Sequence, residues 1–275
     1  MRQDGRLDLE ELGAAARSAA EAGARVATSW QLRRGQGEVW QKAGPRDLVS
    51  QADLDTERTI RDVLQTLRPG DAVLGEEHGH SSGDTPVRWI IDPIDGTTSY
   101  LYGRSDWSVS VAAEHLDGTI LCGAVAEPAH QRICHATRGG GAWKDGTRLA
   151  VNTGRPFVEA LVEVNFGGDE QRLLGGAMVD ALLPSVRDLR RGGSAAVSMV
   201  HVATGLADAV WSPGIQAWDG AAGLLLVHEA GGVAGDLTGP SDGRWPPSGD
   251  VLAAPESLWE SLRSALEPVY QHPLG

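Results

Sequence analysis

Cysteine is nearly missing from this chain. Cys122 and Cys134, alone among 275 residues, cannot make a disulfide framework, and a chain of this length buries enough apolar surface to need none. Both read as small core residues in a reducing compartment. Basic residues are also short, 24 Lys and Arg against 37 Asp and Glu, for a net charge of −13. That deficit excludes a broad nucleic-acid surface, which needs a basic stripe. No apolar run approaches the roughly 18 residues of a membrane span, and the start, MRQDGRLDLEELG, lacks the apolar stretch of a secretory signal. A soluble, cytoplasmic protein is expected. Acidity does not exclude a phosphate ligand, because bound divalent cations can reverse the local sign.

What is present is patterned. Leu9, Leu12, Ala16, Ala19 and Val26, with Gly23 in the same stripe, follow a three/four spacing that predicts a helix over about 8–30. RRGQGE (33–38) reads as a mobile loop. A second helix is predicted over about 52–67, opened by Ser50 and Asp53 and ended by Arg68-Pro69-Gly70. DAVLGEE, VRWIID, DWSVSVAAEH, TILCGAVAE and RICHAT then read as strands, with hairpins at Asp117-Gly118 and Asp145-Gly146. Beyond that the elements alternate: strands near 160–165, 186–190 and 207–211, helices near 169–182, 194–204, 218–230 and 256–266, and a surface loop at 239–249. No repeat or linker breaks the chain, and layered packing of helices on sheets is expected.

The segment with the most chemistry is WIIDPIDGTT, residues 89–98. An apolar strand delivers Asp92, Pro93 is expected to stop it, and Asp95 follows three positions on, before Gly96 turns the backbone. Two carboxylates so close repel unless a cation lies between them. Oxygen-only ligands favour a hard cation, magnesium before zinc. The Gly96 and Thr97 amides and the Thr97 hydroxyl suit phosphate oxygens. The plainer alternative is an Asx-type turn closing a strand. Glu76 and Glu77 end another predicted strand, where neighbours face opposite ways. Asp53 in the first turn of the second helix is either a cap or a site residue. Asp219 opens an apolar, hence buried, helix whose N-terminus favours anions, so it reads as a cap or a metal ligand.

GEE, WIIDPIDGTT and GIQAWDGAAGLLLVHEAGG, in that order and at these separations, resemble the inositol monophosphatase family. Lys42 with DLVSQAD (47–53) resembles its first motif, and Arg191-Gly-Gly-Ser194-Ala195 the stretch that lines its substrate pocket. The resemblance runs from about Arg25 to Gly232. It implies an α/β layered sandwich (αβαβα), as in inositol monophosphatase and fructose-1,6-bisphosphatase, built as one unit over 1–275 with subdomains of about 1–150 and 151–275. It implies magnesium-dependent hydrolysis of a small phosphate monoester by metal-activated water, without a covalent intermediate. Glu76, Asp92 and the Ile94 carbonyl would hold one ion; Asp92, Asp95 and Asp219 a second; a third would lean on Glu76. Thr97 and Asp53 would pair to orient the attacking water, and either that pair or Glu76 accepts the proton. Gly96 and Thr97 would grip the phosphate, with Ser194, Ala195, Ser212 and Asp219 toward the substrate. Lithium sensitivity and a homodimer are implied as well.

Two positions depart from the family pattern. Ser212 stands where inositol-specific members carry an acidic side chain, and Ser99 where Asn is usual. A serine hydroxyl cannot accept from two ring hydroxyls as a carboxylate can, so the substrate need not be inositol 1-phosphate. Trp211, Gln216 and His201 are available to shape a different pocket. A histidinol-phosphate phosphatase or another sugar or nucleotide phosphatase is the nearest alternative, and a non-catalytic relative that binds a phosphate ligand or a partner is the alternative of another class. Asp53-Leu54-Asp55-Thr56-Glu57 superficially resembles the nucleophile loop of haloacid-dehalogenase phosphatases, but Glu57 and the helical pattern oppose it. A zinc site from His130, Cys134 and His135 is opposed by strand alternation, which turns Cys134 and His135 apart.

Overall fold

Asp8 starts the first helix: its carboxylate accepts the amides of Glu10 and Glu11 at 3.1 and 3.3 Å, and α1 runs Leu9–Leu32. The computed structural model describes residues 7–33, 39–41, 48–167 and 169–271; positions 34–38 of the expected loop, with Lys42 and Asp47, lie outside the described residues. A short hairpin, β1 (Val39–Gln41) and β2 (Leu48–Ser50), leads into α2 (Gln51–Leu67). The two helices pack together. Their approach depends on small residues: a Cβ on Gly23 would fall 2.8 Å from Ile60. The Asp53–Glu57 segment is helical, as its pattern predicts.

The first sheet has eight strands in the order β10-β9-β8-β7-β6-β5-β3-β4. They are β3 (Ala72–Gly75), β4 (Gly79–Ser81), β5 (Val87–Asp95), β6 (Ser108–His115), β7 (Ile120–Glu127), β8 (Arg132–Thr137), β9 (Gly141–Lys144) and β10 (Thr147–Arg148). All pairings are antiparallel except β3 with β5. Asp117-Gly118 and Asp145-Gly146 make the hairpins their pattern predicts. Asp145 and Gly146 both take positive φ, 49° and 75°. Pro93 corrects an expectation: it does not stop β5. Pairing with β6 breaks after Asp92 and resumes at Asp95 opposite Ser108. Proline is accommodated because a bulge needs no ladder N–H there.

The second sheet is ordered β12-β11-β13-β16-β14-β15, from β11 (Leu161–Val164), β12 (Asp188–Arg190), β13 (Ala209–Ser212), β14 (Val233–Asp236), β15 (Gly239–Pro240) and β16 (Val251–Ala254). The remaining helices are α3 (Thr97–Leu101), α4 (Asp169–Leu182), α5 (Ala195–Ala203), α6 (Ala217–Glu229) and α7 (Glu256–Gln271). The last runs past the expected end at 266, with Pro268 inside its final turns.

Three apolar clusters separate five layers. One joins α1 and α2 to the eight-stranded sheet around Trp89, Trp107 and Ile60. The middle one wraps α5 and α6, which contact both sheets. The outer one joins the six-stranded sheet to α4 and α7 around Trp211 and Trp259. This is the α/β layered sandwich. The continuous apolar run of α6, Ala221–Val227, is what a helix between two sheets requires.

Candidate active site

The bulge in β5 and the helices of the middle layer build the site. Asp92, 1% exposed, accepts the Ile94 amide at 2.9 Å. Gly96 has φ 91°. A Cβ there would lie 2.9 Å from the Asp106 carbonyl and 3.3 Å from Ser194, so glycine is needed for both conformation and space. Thr97 opens α3, and its hydroxyl donates to the Ile94 carbonyl at 3.2 Å. Ser99 donates to the Gly192 carbonyl at 3.1 Å, tying α3 to the segment before α5.

Asp95 reaches across to the start of α5. Its Oδ2 accepts the Ser194 hydroxyl at 2.5 Å and the Ala196 amide at 2.7 Å, and the Ala195 amide also bonds to it. Ser194 is in turn the cap of α5, accepting the Val197 amide at 3.0 Å. Asp219 lies in the first turn of α6, where its Oδ2 accepts the Gln216 amide at 2.8 Å. Two helix N-termini thus face the acidic cluster, each with a positive end of the peptide dipole.

One oxygen from each of Asp92, Asp95 and Asp219 lies within 4.8 Å of the others. Such proximity out of water raises carboxyl pKa values. Asp92 is pushed well above the usual range, first by burial and then by Glu76, Asp95, Asp219 and Asp53. Asp219 is raised by burial and Asp95, against the hydrogen bond it accepts from the Gln216 amide. Asp95 rises only to about 6, because Ser194 and the α5 amides offset burial. Three carboxylates cannot all ionise in this space without a cation. The donors are all oxygen, so the residues fit a hard divalent ion.

Asp53, fully buried, both caps and faces the site. Its Oδ2 accepts the Ser50 amide at 2.8 Å and hydroxyl at 2.6 Å, while its charge reaches Asp92. Glu76 follows β3, with its amide bonded to the Ile91 carbonyl at 3.3 Å, and its charge acts on Asp92 and Asp95. Sequence inspection missed Glu57 as a participant. It is fully buried and holds the amides after Glu76. A charged residue on the same helix face as Ile60 and Leu64 was the available signal.

Ser212 ends β13, fully buried, and accepts from the Asn165 side chain at 3.2 Å. The same Asn165 amide group donates to Ser198 at 3.0 Å. Trp211 does not shape this pocket. It packs in the outer layer against Phe166 and Tyr270, since strand neighbours alternate faces. His201 is engaged by Glu163 at 2.6 Å, and Gln216 caps α6. Among the described residues, Asp92, Asp95 and Asp219 are the group placed to hold a metal.

A sequence profile described as the inositol monophosphatase family matches residues 8–271. Inositol-1-monophosphatase SuhB of Mycobacterium tuberculosis is 40% identical over 199 residues, 69% of this chain and 68% of that protein. Nus factor SuhB of Haemophilus influenzae is 34% identical over 260 residues, 94% of this chain and 96% of its own length. The crystal structure of extragenic suppressor protein suhB from Bartonella henselae superposes with a TM-score of 0.86 at 32% identity, covering 91% and 96% of the two chains.

Proposed function

The chain belongs to the inositol monophosphatase family, and from that premise we propose that it is a magnesium-dependent phosphatase of small phosphorylated polyols or alcohols. The observation that carries this is the trio Asp92, Asp95 and Asp219, with oxygens within 4.8 Å of one another beside two helix N-termini. Glu76 and the Ile94 carbonyl complete the donor set. Bound magnesium supplies Lewis-acid activation of water and neutralises charge on the phosphoryl and leaving oxygens.

The protein's own part is positioning and charge, which is most of what phosphoryl transfer asks of it. Asp92 is central, in reach of Asp219 and of the fields of Glu76, Asp95 and Asp53. Asp95 is held in place by Ser194 and the α5 amides, so in this structure those groups serve the carboxylate. The Gly96 and Thr97 amides, at the start of α3, grip the phosphate. The Thr97 hydroxyl, turned from the Ile94 carbonyl it bonds here to Asp53, would orient the attacking water, and Glu76 or that pair would take the proton. No side chain becomes phosphorylated.

Ser212 is neutral, buried and bonded to Asn165, so it cannot receive two ring hydroxyls as a carboxylate would. The carboxylate contact to ring hydroxyls is therefore missing at this position, and the substrate class is a small phosphorylated polyol or alcohol, inositol 1-phosphate and histidinol phosphate among the candidates. The test is phosphate release with magnesium, then with EDTA, over inositol 1-phosphate, histidinol phosphate, fructose 1,6-bisphosphate, adenosine bisphosphate and glycerol phosphate. Turnover of at least one, lost on chelation, is expected. No phosphate released from any would sink the proposal. A second, non-catalytic reading draws on the relative named a Nus factor, which matches nearly the whole chain; inertness across the panel would favour it.

A further inference from the structure

One buried carboxylate beside the site has no role in the chemistry above. Glu57 lies on α2, one turn after Asp53, with no exposed surface. Its Oε2 accepts the Glu77 amide at 2.7 Å. Its Oε1 accepts the His78 amide at 3.1 Å and Nε of Arg61 at 2.7 Å, and lies 3.2 Å from Nδ1 of His78. Arg61 extends the grip: its guanidinium donates to the Gly79 carbonyl at 2.6 Å and the Ser81 hydroxyl at 3.2 Å. One Glu–Arg pair on α2 therefore engages residues 77, 78, 79 and 81, the turn and strand that follow Glu76.

The fit leaves no slack. A Cβ on Gly75 would fall 2.2 Å from Glu57 Oε1 and 2.9 Å from the Arg61 guanidinium. Gly75 thus reserves the space through which the carboxylate reaches the turn. An ion pair alone needs no backbone partners. Two amides accepted by one carboxylate fix a chain position, and charge-assisted bonds to buried groups are the strong kind. The same helix turns Asp53 toward Asp92, so α2 sets one carboxylate at the cluster and uses the next to hold the loop that brings another.

We propose that Glu57, with Arg61, is a positioning residue for Glu76, and that it sets the affinity of the cation Glu76 holds. This rests on the proposed role of Glu76 as a metal ligand. The test titrates metal-free protein with Mn²⁺, reading free ion by electron paramagnetic resonance, at a temperature where circular dichroism shows every variant folded. Glu57→Gln puts an amide group where two N–H groups need acceptors. It should weaken Mn²⁺ binding about 10–100-fold, the range for groups that orient metal ligands, and raise the magnesium needed for half-maximal phosphate release by the same factor. The substrate KM at saturating magnesium should not move. Glu57→Asp keeps the charge but falls one methylene short, and it should shift binding the same way; it decides the matter if Glu57→Gln does not fold. Glu76→Gln is run alongside. Wild-type Mn²⁺ affinity in both Glu57 variants, with Glu76→Gln weakened, overturns the positioning role and leaves Glu76 a ligand. Wild-type affinity in Glu76→Gln removes the ligand and the positioning role together.

Discussion

The two sheets contribute opposite things to the site. The eight-stranded sheet and α2 bring charge: Asp92 and Asp95 at the β5 bulge, Glu76 after β3, and Asp53 on α2. The six-stranded sheet and the middle helices bring mostly neutral groups: Ser194, Asn165, Ser198 and Ser212, with Asp219 the exception. The acidic side is over-determined, because each buried carboxylate needs donors or a cation to exist there. The neutral side answers to no such demand, so its residues can vary with the substrate. The chemistry should therefore break when the first side or Asp219 is altered and shift only in degree when Ser212, Asn165 or Ser198 is.

The largest effect is expected at the centre of the acidic side. Asp92→Asn keeps an acceptor for the Ile94 amide but removes the charge that faces Glu76, Asp95 and Asp219. Phosphate release should fall by roughly a thousandfold or more, as removal of a central charge-stabilising group does. Turnover near wild type would contradict the assignment. Thr97→Ala comes next. It should cost about 10²-fold in kcat, the scale of one proton-transfer or orienting group, with magnesium affinity kept. A pure loss of metal affinity would move Thr97 out of that role.

How much of this was visible in the residues themselves follows the same divide. Asp92, Asp95, Asp219 and Asp53 declare themselves, since acidic residues beside apolar strands and at apolar helix starts conflict with burial and call for an explanation. Layering of helices on sheets follows from the apolar periods, and α6, apolar all round, reads as buried; the order of five layers comes from the family resemblance. What stayed hidden depends on partners distant in sequence. Nothing local says that Ser194 and Ala196 will bond Asp95, some hundred residues earlier. Trp211 and Ser212 are adjacent, and only the sheet's placement decides that the tryptophan faces outward and the serine inward. Pro93 reads as a stop from its own chemistry, while the bulge that absorbs it depends on β6. Glu57 hides for the same reason, because its partners lie on a turn some 20 residues on.

The third expectation concerns the metal-free protein. Burial pushes Asp95 up to about 6 from an ordinary value of 3.8, and it holds Asp92 and Asp219 well above the ordinary carboxyl range. A raised acid stabilises the fold while protonated. Its contribution is full below about pH 4 and is lost as pH climbs through the folded values, at most about 3 kcal/mol for Asp95. The melting temperature of EDTA-treated protein should decline from about pH 4 to 6 more steeply than that of Asp92→Asn, and magnesium should abolish the difference. Parallel curves would mean the cluster is not strained by its own charge.

The smallest effect should come from the neutral side. Ser212→Ala removes one of two acceptors from the Asn165 amide group, which keeps Ser198. Stability should drop by about 1 kcal/mol, and kcat/KM should change unevenly across substrates while the magnesium dependence stays the same. A uniform collapse of activity would place Ser212 on the acidic side of the comparison.

The most direct test of the cation cluster is calorimetric titration of magnesium into EDTA-treated protein, wild type against Asp92→Asn. Saturable binding by the wild type and its loss in the variant are predicted. Equal binding by both, or none by the wild type, would contradict the claim that these converging carboxylates exist to hold metal.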